Sequence, residues 1–480
     1  MITYFFDNLL IGSGEANKYL AWALAKSGER TAIVERSMIG GSCPNTACLP
    51  SKNVIHSAKV ASLVKRAGEF GISTGLVQTE MAAVFSRKAR MVDDLVVLHQ
   101  QRFRENGVEL IMGEARFTGP NTVQVKLQSG GIRNVEGVRV FVNVGTHATL
   151  PEIPGLAAAK PMTHVEALNL QRLPKHLVVM GGGYVGIEFA QAMRRFGSKV
   201  TIIHRGEQLL GGEDKDVSSA LCQMLERDGI KILLQTELHQ VNGLSGDHIR
   251  MVVLISGDRM SLDATDLLVA VGCTPNTADL DVTKADIALD KAGYIHVNDR
   301  LETTAPNTWA MGECAGSPQY THAALDDFRV VHTNITGGRR STRNRLVPYC
   351  LFTDPELARV GLNEQQAKAR KISYRVARLP MKSVLRTRTI SEAEGFIKAL
   401  VGMDDRILGF SAFGAEASEL LAAVQTAMLA GVGYQTLRDA IFTHPTMAEG
   451  LGPLFATLSP APGRWSELIP RHHEYHKVTP

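Results

Sequence analysis

Cys43 and Cys48 form the one close cysteine pair of the sequence, with four residues between them in the segment GGSCPNTACLPSK, residues 40–52. A close pair in a cysteine-poor chain indicates redox chemistry or a metal site more often than a structural disulfide. No second pair completes a tetrahedral zinc site, so we predict a redox-active pair and no bound metal. A helix is expected to begin within or just after this segment. Its N-terminal dipole, together with Lys52 one turn later, would lower the pKa of a thiol.

The rest of the composition excludes several classes of function. The other four cysteines (Cys222, Cys273, Cys314 and Cys350) are scattered and make no disulfide framework. A chain of 480 residues suggests about three domains. The formal net charge of +4 favours neither nucleic acid nor an anionic membrane as a partner. The basic loop at 337–345 is interpreted as a solvated connector. With no signal peptide and no run of 18 apolar residues, we predict a cytoplasmic protein.

Two glycine-rich turns each follow a strand and precede a helix, where backbone amides can hold a pyrophosphate. In the first, Gly12 and Gly14 lie between a strand at 8–11 and a helix at 16–26, and Glu35 ends the next strand. An acid there can bond the ribose of an adenosine. Asn17 stands at the third glycine position and is expected to loosen the approach of helix to strand. An ordinary strand–helix loop is the alternative.

The second turn contains Gly181, Gly183 and Gly186 in full, after a strand at 177–180 and before a helix ending near residue 196. The following strand, 200–203, ends at His204 and Arg205, where an acid would contact an unphosphorylated ribose. An arginine attracts a 2′-phosphate, so NADPH is favoured over NADH. The alternative is that Arg205 is a solvated surface residue.

Hydrophobic periodicity predicts the remaining large elements. A long helix follows the cysteine segment, with its apolar stripe at Met81, Val84, Phe85, Val92, Leu95 and Leu98. Toward the C-terminus, strands are predicted at 397–401 and 407–413, and a helix at 415–430.

The cysteine segment resembles the active-site signature Gly-Gly-Ser-Cys-x4-Cys-Leu-Pro-Ser-Lys of the class I pyridine nucleotide-disulfide oxidoreductases. That family includes dihydrolipoamide dehydrogenase, glutathione reductase and mercuric reductase. Other segments are similar to its motifs: 271–276 to the return from the NAD domain, 309–313 to the second FAD motif, 352–362 to the start of the dimerisation domain, and 444–449 to the His–Glu motif. Asn143-Val144-Gly145 replaces the usual Ala-Thr-Gly, and Glu313 stands where Asp is usual.

The resemblance implies an α/β fold with two Rossmann-like domains, for FAD and NAD(P), and a C-terminal α+β dimerisation domain. The expected boundaries are 1–150 for the first part of the FAD domain, 151–272 for the NAD(P) domain, 273–345 for the second part of the FAD domain, 346–460 for the dimerisation domain, and 461–480 for a tail.

The resemblance also implies the roles of the site residues. Hydride passes from the nicotinamide to the flavin, which opens the disulfide; Cys48 lies against the flavin and Cys43 exchanges with substrate. His444 is the acid–base, oriented by Glu449, and it reaches the cysteines of the other subunit of a homodimer. Lys52 and Glu188 pair near the flavin, and Tyr184 covers the nicotinamide pocket. The implied FAD-binding residues are Gly12, Gly14, Glu35, Ser42, Lys52, Gly145, Gly312 and Glu313. The implied NAD(P)-binding residues are Gly181, Gly183, Tyr184, Gly186, His204, Arg205 and Gly272.

Three functions stay open at this stage. The first is an NAD(P)H-dependent reductase of a small disulfide or dithiol, with chemistry like that of dihydrolipoamide dehydrogenase. The second is a reductase of Hg(II) or Cu(II) using the same thiols, although the last cysteine is Cys350 and no C-terminal pair follows. The third is a flavoprotein without turnover that senses redox state or binds a partner. The histidines at 472, 473 and 476 suggest metal handling or a plain polar terminus.

Overall fold

The computed structural model describes residues 2–459 and divides the chain into two compact units, Met1–Val347 and Pro348–Pro480. The histidines of the predicted tail lie outside the described residues. Among the helices of the described part, none is both long enough and apolar enough to span a membrane.

The first unit contains eight α-helices and fifteen strands within its described residues. The helices are α1 (Glu15–Lys26), α2 (Ser42–Asn45), α3 (Cys48–Lys65), α4 (Met81–Glu105), α5 (His164–Ala167), α6 (Tyr184–Phe196), α7 (Lys215–Arg227) and α8 (Thr321–Ile335). The strands are β1 (Thr3–Ile11), β2 (Thr31–Glu35), β3 (Glu109–Gly119), β4 (Thr122–Leu127), β5 (Ile132–Val142), β6 (Thr146–Ala148), β7 (His176–Met180), β8 (Lys199–Ile203), β9 (Lys231–Leu233), β10 (Thr236–Leu244), β11 (His248–Ile255), β12 (Asp258–Ala264), β13 (Asp266–Val269), β14 (Cys273–Pro275) and β15 (Thr308–Ala310).

A parallel sheet in the order β3-β2-β1-β5-β15 forms the centre of the first nucleotide-binding region. This is the strand order of a mononucleotide-binding Rossmann half. Strand β4 pairs antiparallel with the outer parts of β3 and β5. Apolar residues of α1 and α8, including Leu20, Leu24 and Val330, pack on one face of the sheet and bury it. The last strand, β15, comes after the second nucleotide-binding region, so the sheet is assembled from two separate stretches of chain.

The second nucleotide-binding region has a four-stranded parallel sheet in the order β13-β7-β8-β9 and an antiparallel sheet of β10, β11 and β12. Helix α6 follows β7 and packs on it. It also packs against α3, the helix that begins at Cys48. The cysteine segment and the second glycine-rich turn are therefore connected through two packed helices.

The second unit is built on a five-stranded antiparallel sheet in the order β16-β17-β20-β19-β18, with α11 packed on β17 and β20. Its strands are β16 (Tyr349–Leu351), β17 (Glu356–Gly361), β18 (Tyr374–Pro380), β19 (Phe396–Gly402) and β20 (Ile407–Gly414). Its helices are α9 (Glu364–Ala369), α10 (Leu385–Thr389), α11 (Ala417–Ala430), α12 (Gln435–Arg438) and α13 (Leu451–Ala456). This arrangement is α+β, as predicted.

The α/β class and the large predicted elements are confirmed. The internal boundaries at 150, 272 and 345 stay predictions. The stripe of α4 differs in detail, because Leu98 is 40 % exposed while Lys88 and His99 are buried. Both polar side chains have partners: Lys88 bonds Oδ1 of Asn169 at 2.9 Å, and His99 contacts Lys18 at 3.0 Å.

Candidate active site

The cysteine segment lies directly on the first glycine-rich turn. Gly41 has φ +79°, and a Cβ there would lie 2.6 Å from Cα of Gly14. Ser42 begins the one-turn helix α2, and Cys48 is the first residue of α3. Cys48 therefore lies at the positive end of an 18-residue helix, as the sequence predicted.

The two cysteines are free thiols, and their pKa values are shifted in opposite directions. The pKa of Cys48 is lowered to about 6, chiefly by a hydrogen bond from Cys43 and further by Thr321 and by the charge of Lys52. The pKa of Cys43 is raised well above its usual range, because its proton is held in that hydrogen bond and because the thiol is partly buried. In the reduced pair, Cys48 is thus the thiolate and Cys43 carries the proton.

Thr321 is a site residue that sequence reasoning missed. Its Oγ1 lies 3.1 Å from Sγ of Cys48, although 273 residues separate the two in the chain. No motif carries a signal for this contact, because it depends on how the start of α8 meets the start of α3.

Lys52 and Glu188 form a salt bridge, with Nζ of Lys52 2.9 Å from Oε2 of Glu188. Lys52 lies on α3 and Glu188 on α6, so the pair joins the two packed helices. The Glu188 side chain is only 5 % exposed and that of Lys52 is 33 % exposed. The sequence predicted this pairing, and its role beside a flavin stays a prediction.

Asn17 does not loosen the first turn, as had been expected from the missing glycine. Its Nδ2 donates to the carbonyl oxygens of Ile11, Gly12 and Phe141 at 3.1, 2.9 and 3.2 Å. These bonds join α1 to β1 and β5. The amide therefore replaces close packing by hydrogen bonding, and the expectation of a looser turn is wrong.

Asn143, the other departure from the family pattern, lies at the end of β5 between the two predicted FAD segments. Its Nδ2 donates to the carbonyl of Met311 at 2.7 Å. A Cβ at Gly14 would lie 2.5 Å from its Oδ1, and one at Gly312 would lie 2.6 Å from its Nδ2. Glycine at positions 14 and 312 is therefore required by the bulk of Asn143.

Glu35 is buried at the end of β2 and both of its carboxylate oxygens accept protein hydrogen bonds. Oε2 accepts from the backbone N–H and hydroxyl of Ser13 at 2.9 and 2.7 Å. Oε1 accepts from the N–H groups of Ser37 and Met38 at 2.8 and 3.1 Å. Glu35 thus supports the loop of the first glycine-rich turn, and its four lone-pair sites already accept four hydrogen bonds from the protein. Its predicted contact with a ribose hydroxyl stays a prediction.

A buried carboxylate, which the sequence did not reveal, accepts a hydrogen bond from the second predicted FAD motif at 309–313. Asp327, fully buried, accepts from the N–H of Gly312 at 2.7 Å and from the hydroxyl of Ser317 at 2.6 Å. Arg345 forms an ion pair with its other oxygen at 2.6 Å. Glu313, next to Gly312, accepts a hydrogen bond from the hydroxyl of Thr146.

The basic loop at 337–345 is not a free positive patch. Arg340, Arg343 and Arg345 each form an ion pair with an acidic residue of the same unit, at Asp326, Asp299 and Asp327. This agrees with the interpretation of the loop as a connector.

The second glycine-rich turn has the geometry of a dinucleotide site. A Cβ at Gly181 or Gly186 would collide with a backbone carbonyl oxygen, whereas the space at Gly183, just before Tyr184 begins α6, is open. Gly272, with φ +127°, is equally open. Gly181 and Gly186 thus allow the helix and the strands to pack closely, whereas Gly183 and Gly272 leave room for a ligand to approach the backbone.

His204 and Arg205 have different surroundings at the end of β8. Burial lowers the pKa of His204, whose Nδ1 accepts from the N–H of Gly182 at 3.2 Å. The neutral imidazole therefore stabilises the second glycine-rich turn through this hydrogen bond. Arg205 is exposed, and none of the ion pairs among residues 2–459 includes it.

His444 and Glu449 lie in the second unit and contact each other. Nδ1 of His444 is 2.7 Å from Oε2 of Glu449, and the His444 side chain is 65 % exposed. The ring is thus oriented by the carboxylate, with Nε2 directed away from that contact. The predicted role of His444 as the acid–base stays a prediction.

An open glycine with positive φ also marks the FAD region: Gly145, with φ +65°, has no heavy atom within 4 Å of a Cβ position. With the turn at Gly12–Gly14 and the start of α1, it forms a backbone cradle that fits a dinucleotide. Two such sites flanking a thiol–thiolate pair define a dithiol oxidoreductase that uses two nucleotides.

Comparison with known proteins identifies the family. Residues 6–327 match the model of the pyridine nucleotide-disulphide oxidoreductases, and residues 347–454 match their dimerisation domain. The chain belongs to this family. Its members bind FAD, use NAD(P)H and form homodimers through the C-terminal domain. The chain is accordingly an NAD(P)H-dependent flavoprotein disulfide oxidoreductase.

The chain is 35% identical to the probable pyridine nucleotide-disulfide oxidoreductase RclA of Escherichia coli K12, over 94% of this chain and 99% of that protein. It is 31% identical to the mitochondrial dihydrolipoyl dehydrogenase 1 of Arabidopsis thaliana, over 93% of this chain and 89% of that protein. Among solved structures, the Cu(II) complex of the HOCl-induced flavoprotein disulfide reductase RclA from E. coli superposes with a TM-score of 0.86. That alignment has 34% identity and covers 94% of this chain and 99% of that one.

Proposed function

We propose that Cys43 and Cys48 pass electrons from NADPH, through FAD, to a small disulfide. The observation that carries the assignment is the asymmetry of the pair: Cys48 is the thiolate and Cys43 carries the proton. Bound FAD supplies transfer of an electron pair between the nicotinamide and the Cys43–Cys48 disulfide. We infer that the predicted residues would hold FAD, with Gly12, Gly14 and Gly145 as the backbone cradle, because no Cβ fills the space at Gly145 and Asp327 fixes the N–H of Gly312.

The exchange itself needs Cys43 as a thiolate. Loss of its proton lets Sγ of Cys43 attack one sulfur of the substrate disulfide, which forms a mixed disulfide and releases a thiolate that must be protonated. Sγ of Cys48 then attacks Sγ of Cys43, closing the internal disulfide and releasing the second substrate thiolate. We infer that His444 of the partner subunit accepts and donates these protons, because its exposed ring is oriented by Glu449.

Lys52 and Glu188 are inferred to act on the nicotinamide side of the flavin. The ammonium group of Lys52 is fixed by a nearly buried carboxylate, and its charge lowers the pKa of Cys48. Tyr184, at the first position of α6, is inferred to cover the nicotinamide pocket.

The preference for NADPH rests on Arg205, which is exposed at the end of β8, where Rossmann domains bind a 2′-phosphate. The cytoplasmic location stays a prediction.

An anaerobic titration with NADPH tests the proposal. Reduction of the FAD-loaded protein should produce a long-wavelength thiolate–flavin charge-transfer band, and Cys48→Ser should abolish it while FAD remains bound. Turnover with lipoamide or glutathione disulfide should require both cysteines. A wild-type protein with bound FAD that shows no such band contradicts the proposal. A band without turnover on any disulfide favours the redox-sensing alternative.

Reduction of Cu(II) is a second candidate. It is favoured by one observation: a protein 34% identical to this chain was solved as a Cu(II) complex. Two electrons of the reduced pair would convert two Cu(II) ions to Cu(I), with the Cys43–Cys48 disulfide as the other product. His444→Ala separates the candidates, since disulfide turnover needs the imidazole and electron transfer to a thiolate-bound ion does not. Loss of Cu(II) reduction together with disulfide turnover in this variant would contradict the direct electron transfer on which the second candidate rests.

A further inference from the structure

The N-terminal ends of helices α3 and α8 both lie next to Sγ of Cys48. Cys48 is the first residue of α3, and Thr321, whose Oγ1 is 3.1 Å from Sγ of Cys48, is the first residue of the 15-residue helix α8. The positive ends of both helix dipoles therefore face this sulfur. Lys52 adds a positive charge, and Glu313 is the acid that opposes them.

We propose that Thr321 is a catalytic residue whose hydroxyl donates a hydrogen bond to the Cys48 thiolate and thereby stabilises the reduced state of the pair. The proposal rests on the proposed function, because it requires Cys48 to be the flavin-side thiolate. It adds a residue that none of the sequence motifs includes.

Thr321 also hydrogen-bonds Cys43, but that thiol is neutral in the reduced pair, so the Cys48 thiolate is the better acceptor for the hydroxyl. The N-cap residue of α8 is Tyr320, and its side chain makes no capping hydrogen bond. Thr321 is therefore not used as a helix cap, which is the ordinary reason for a threonine at a helix start. Its hydroxyl has one proton, and a thiolate 3.1 Å away is a stronger acceptor than a neutral group.

The hydrogen bond distinguishes the two redox states. Reduction of the Cys43–Cys48 disulfide takes two electrons and one proton, breaks the S–S bond, and leaves a thiol on Cys43 and a thiolate on Cys48. The thiolate accepts hydrogen bonds strongly, whereas a disulfide sulfur carries no charge and accepts weakly. Thr321 keeps its own proton throughout, so it stabilises the reduced pair without taking part in proton transfer.

The test uses the FAD-loaded dimer and three variants. Thr321→Val removes the hydroxyl at nearly constant volume, Thr321→Ser keeps it, and Thr336→Val removes an exposed threonine hydroxyl at the other end of α8. The charge-transfer absorbance of each reduced protein is titrated with pH. The equilibrium of the pair with glutathione is measured in parallel.

In Thr321→Val, the midpoint of the titration should rise by about one pH unit, and the glutathione equilibrium should move about tenfold toward the disulfide. Thr321→Ser and Thr336→Val should match the wild type. If Thr321→Val also matches the wild type while the band is intact, the role of Thr321 is wrong and the proposed function stands. Absence of the band from the wild type itself would instead contradict the proposed function.

Discussion

The backbone N–H of Asn17 donates to Oδ1 of Asn143 at 3.4 Å. These are the two positions where amides replace the residues usual in the family. The other end of the Asn143 amide bonds the carbonyl of Met311, beside Gly312. The two side chains thus connect the first glycine-rich turn to the second FAD segment through hydrogen bonds, and they explain how the turn holds together without its third glycine.

Replacing Asn17 with the usual glycine should weaken the protein. The carbonyls of Ile11, Gly12 and Phe141 would lose their side-chain donor inside a buried layer, and a glycine in α1 adds backbone entropy to the unfolded state. We expect a loss of about 1–3 kcal/mol in the free energy of unfolding and faster release of FAD. Chemical denaturation and flavin fluorescence measure the two effects.

The control for this prediction combines Asn17→Gly with Asn143→Ala in one protein. Asn143→Ala alone should also release FAD faster, and the two losses should add in the double variant, because the hydrogen bond that joins the residues uses the backbone N–H of residue 17, which Asn17→Gly keeps. A loss in the double variant that is smaller than the sum would show that the Asn17 side chain depends on Asn143 for its position.

Cys48 should titrate near neutrality in the reduced protein. Its pKa is about 6, below the usual thiol value, so the thiolate predominates above pH 6 and is protonated as the pH falls through that value. The charge-transfer band should therefore appear with a midpoint near pH 6 as the pH rises. Cys43→Ala removes the largest cause of the lowered pKa and should move this midpoint upward. A midpoint unchanged in Cys43→Ala would contradict the inferred hydrogen bond.

The local parts of the site could be predicted from the sequence, and the long-range parts could not. The start of a helix at the cysteines and the two strand–turn–helix units follow from glycine spacing and apolar runs, which act over a few residues. Thr321 and Asp327 contact the site from residues far along the chain, and no local pattern marks them. The prediction of a looser turn at Asn17 is wrong because the side-chain amide hydrogen-bonds the backbone carbonyls of the turn, which the missing glycine does not reveal.

Variants of the Lys52–Glu188 pair should distinguish its effect on the pKa of Cys48 from its effect on the stability of the fold. Lys52→Met removes the charge that helps to lower the pKa of Cys48 and leaves Glu188, which is nearly buried, without that partner. We expect a higher charge-transfer midpoint and a loss of about 1–3 kcal/mol of stability, toward the lower end because Lys52 is one-third exposed. Adding Glu188→Gln should restore stability and leave the midpoint high. Recovery of both would assign the Lys52 effect to folding alone.

Arg205 should determine the choice of nicotinamide. The residue is exposed at the end of β8, where a ribose hydroxyl or its phosphate is bound in Rossmann domains, and the neighbouring His204 is neutral and already accepts from Gly182. A guanidinium–phosphate contact is charge-assisted and absent with NADH. Arg205→Ala should therefore lower kcat/KM for NADPH about tenfold, mainly through KM, and leave the value for NADH unchanged. Arg259→Ala, which removes another exposed arginine from β12, should alter neither. Equal losses with both nucleotides in Arg205→Ala would show that the arginine supports the turn and does not read the phosphate.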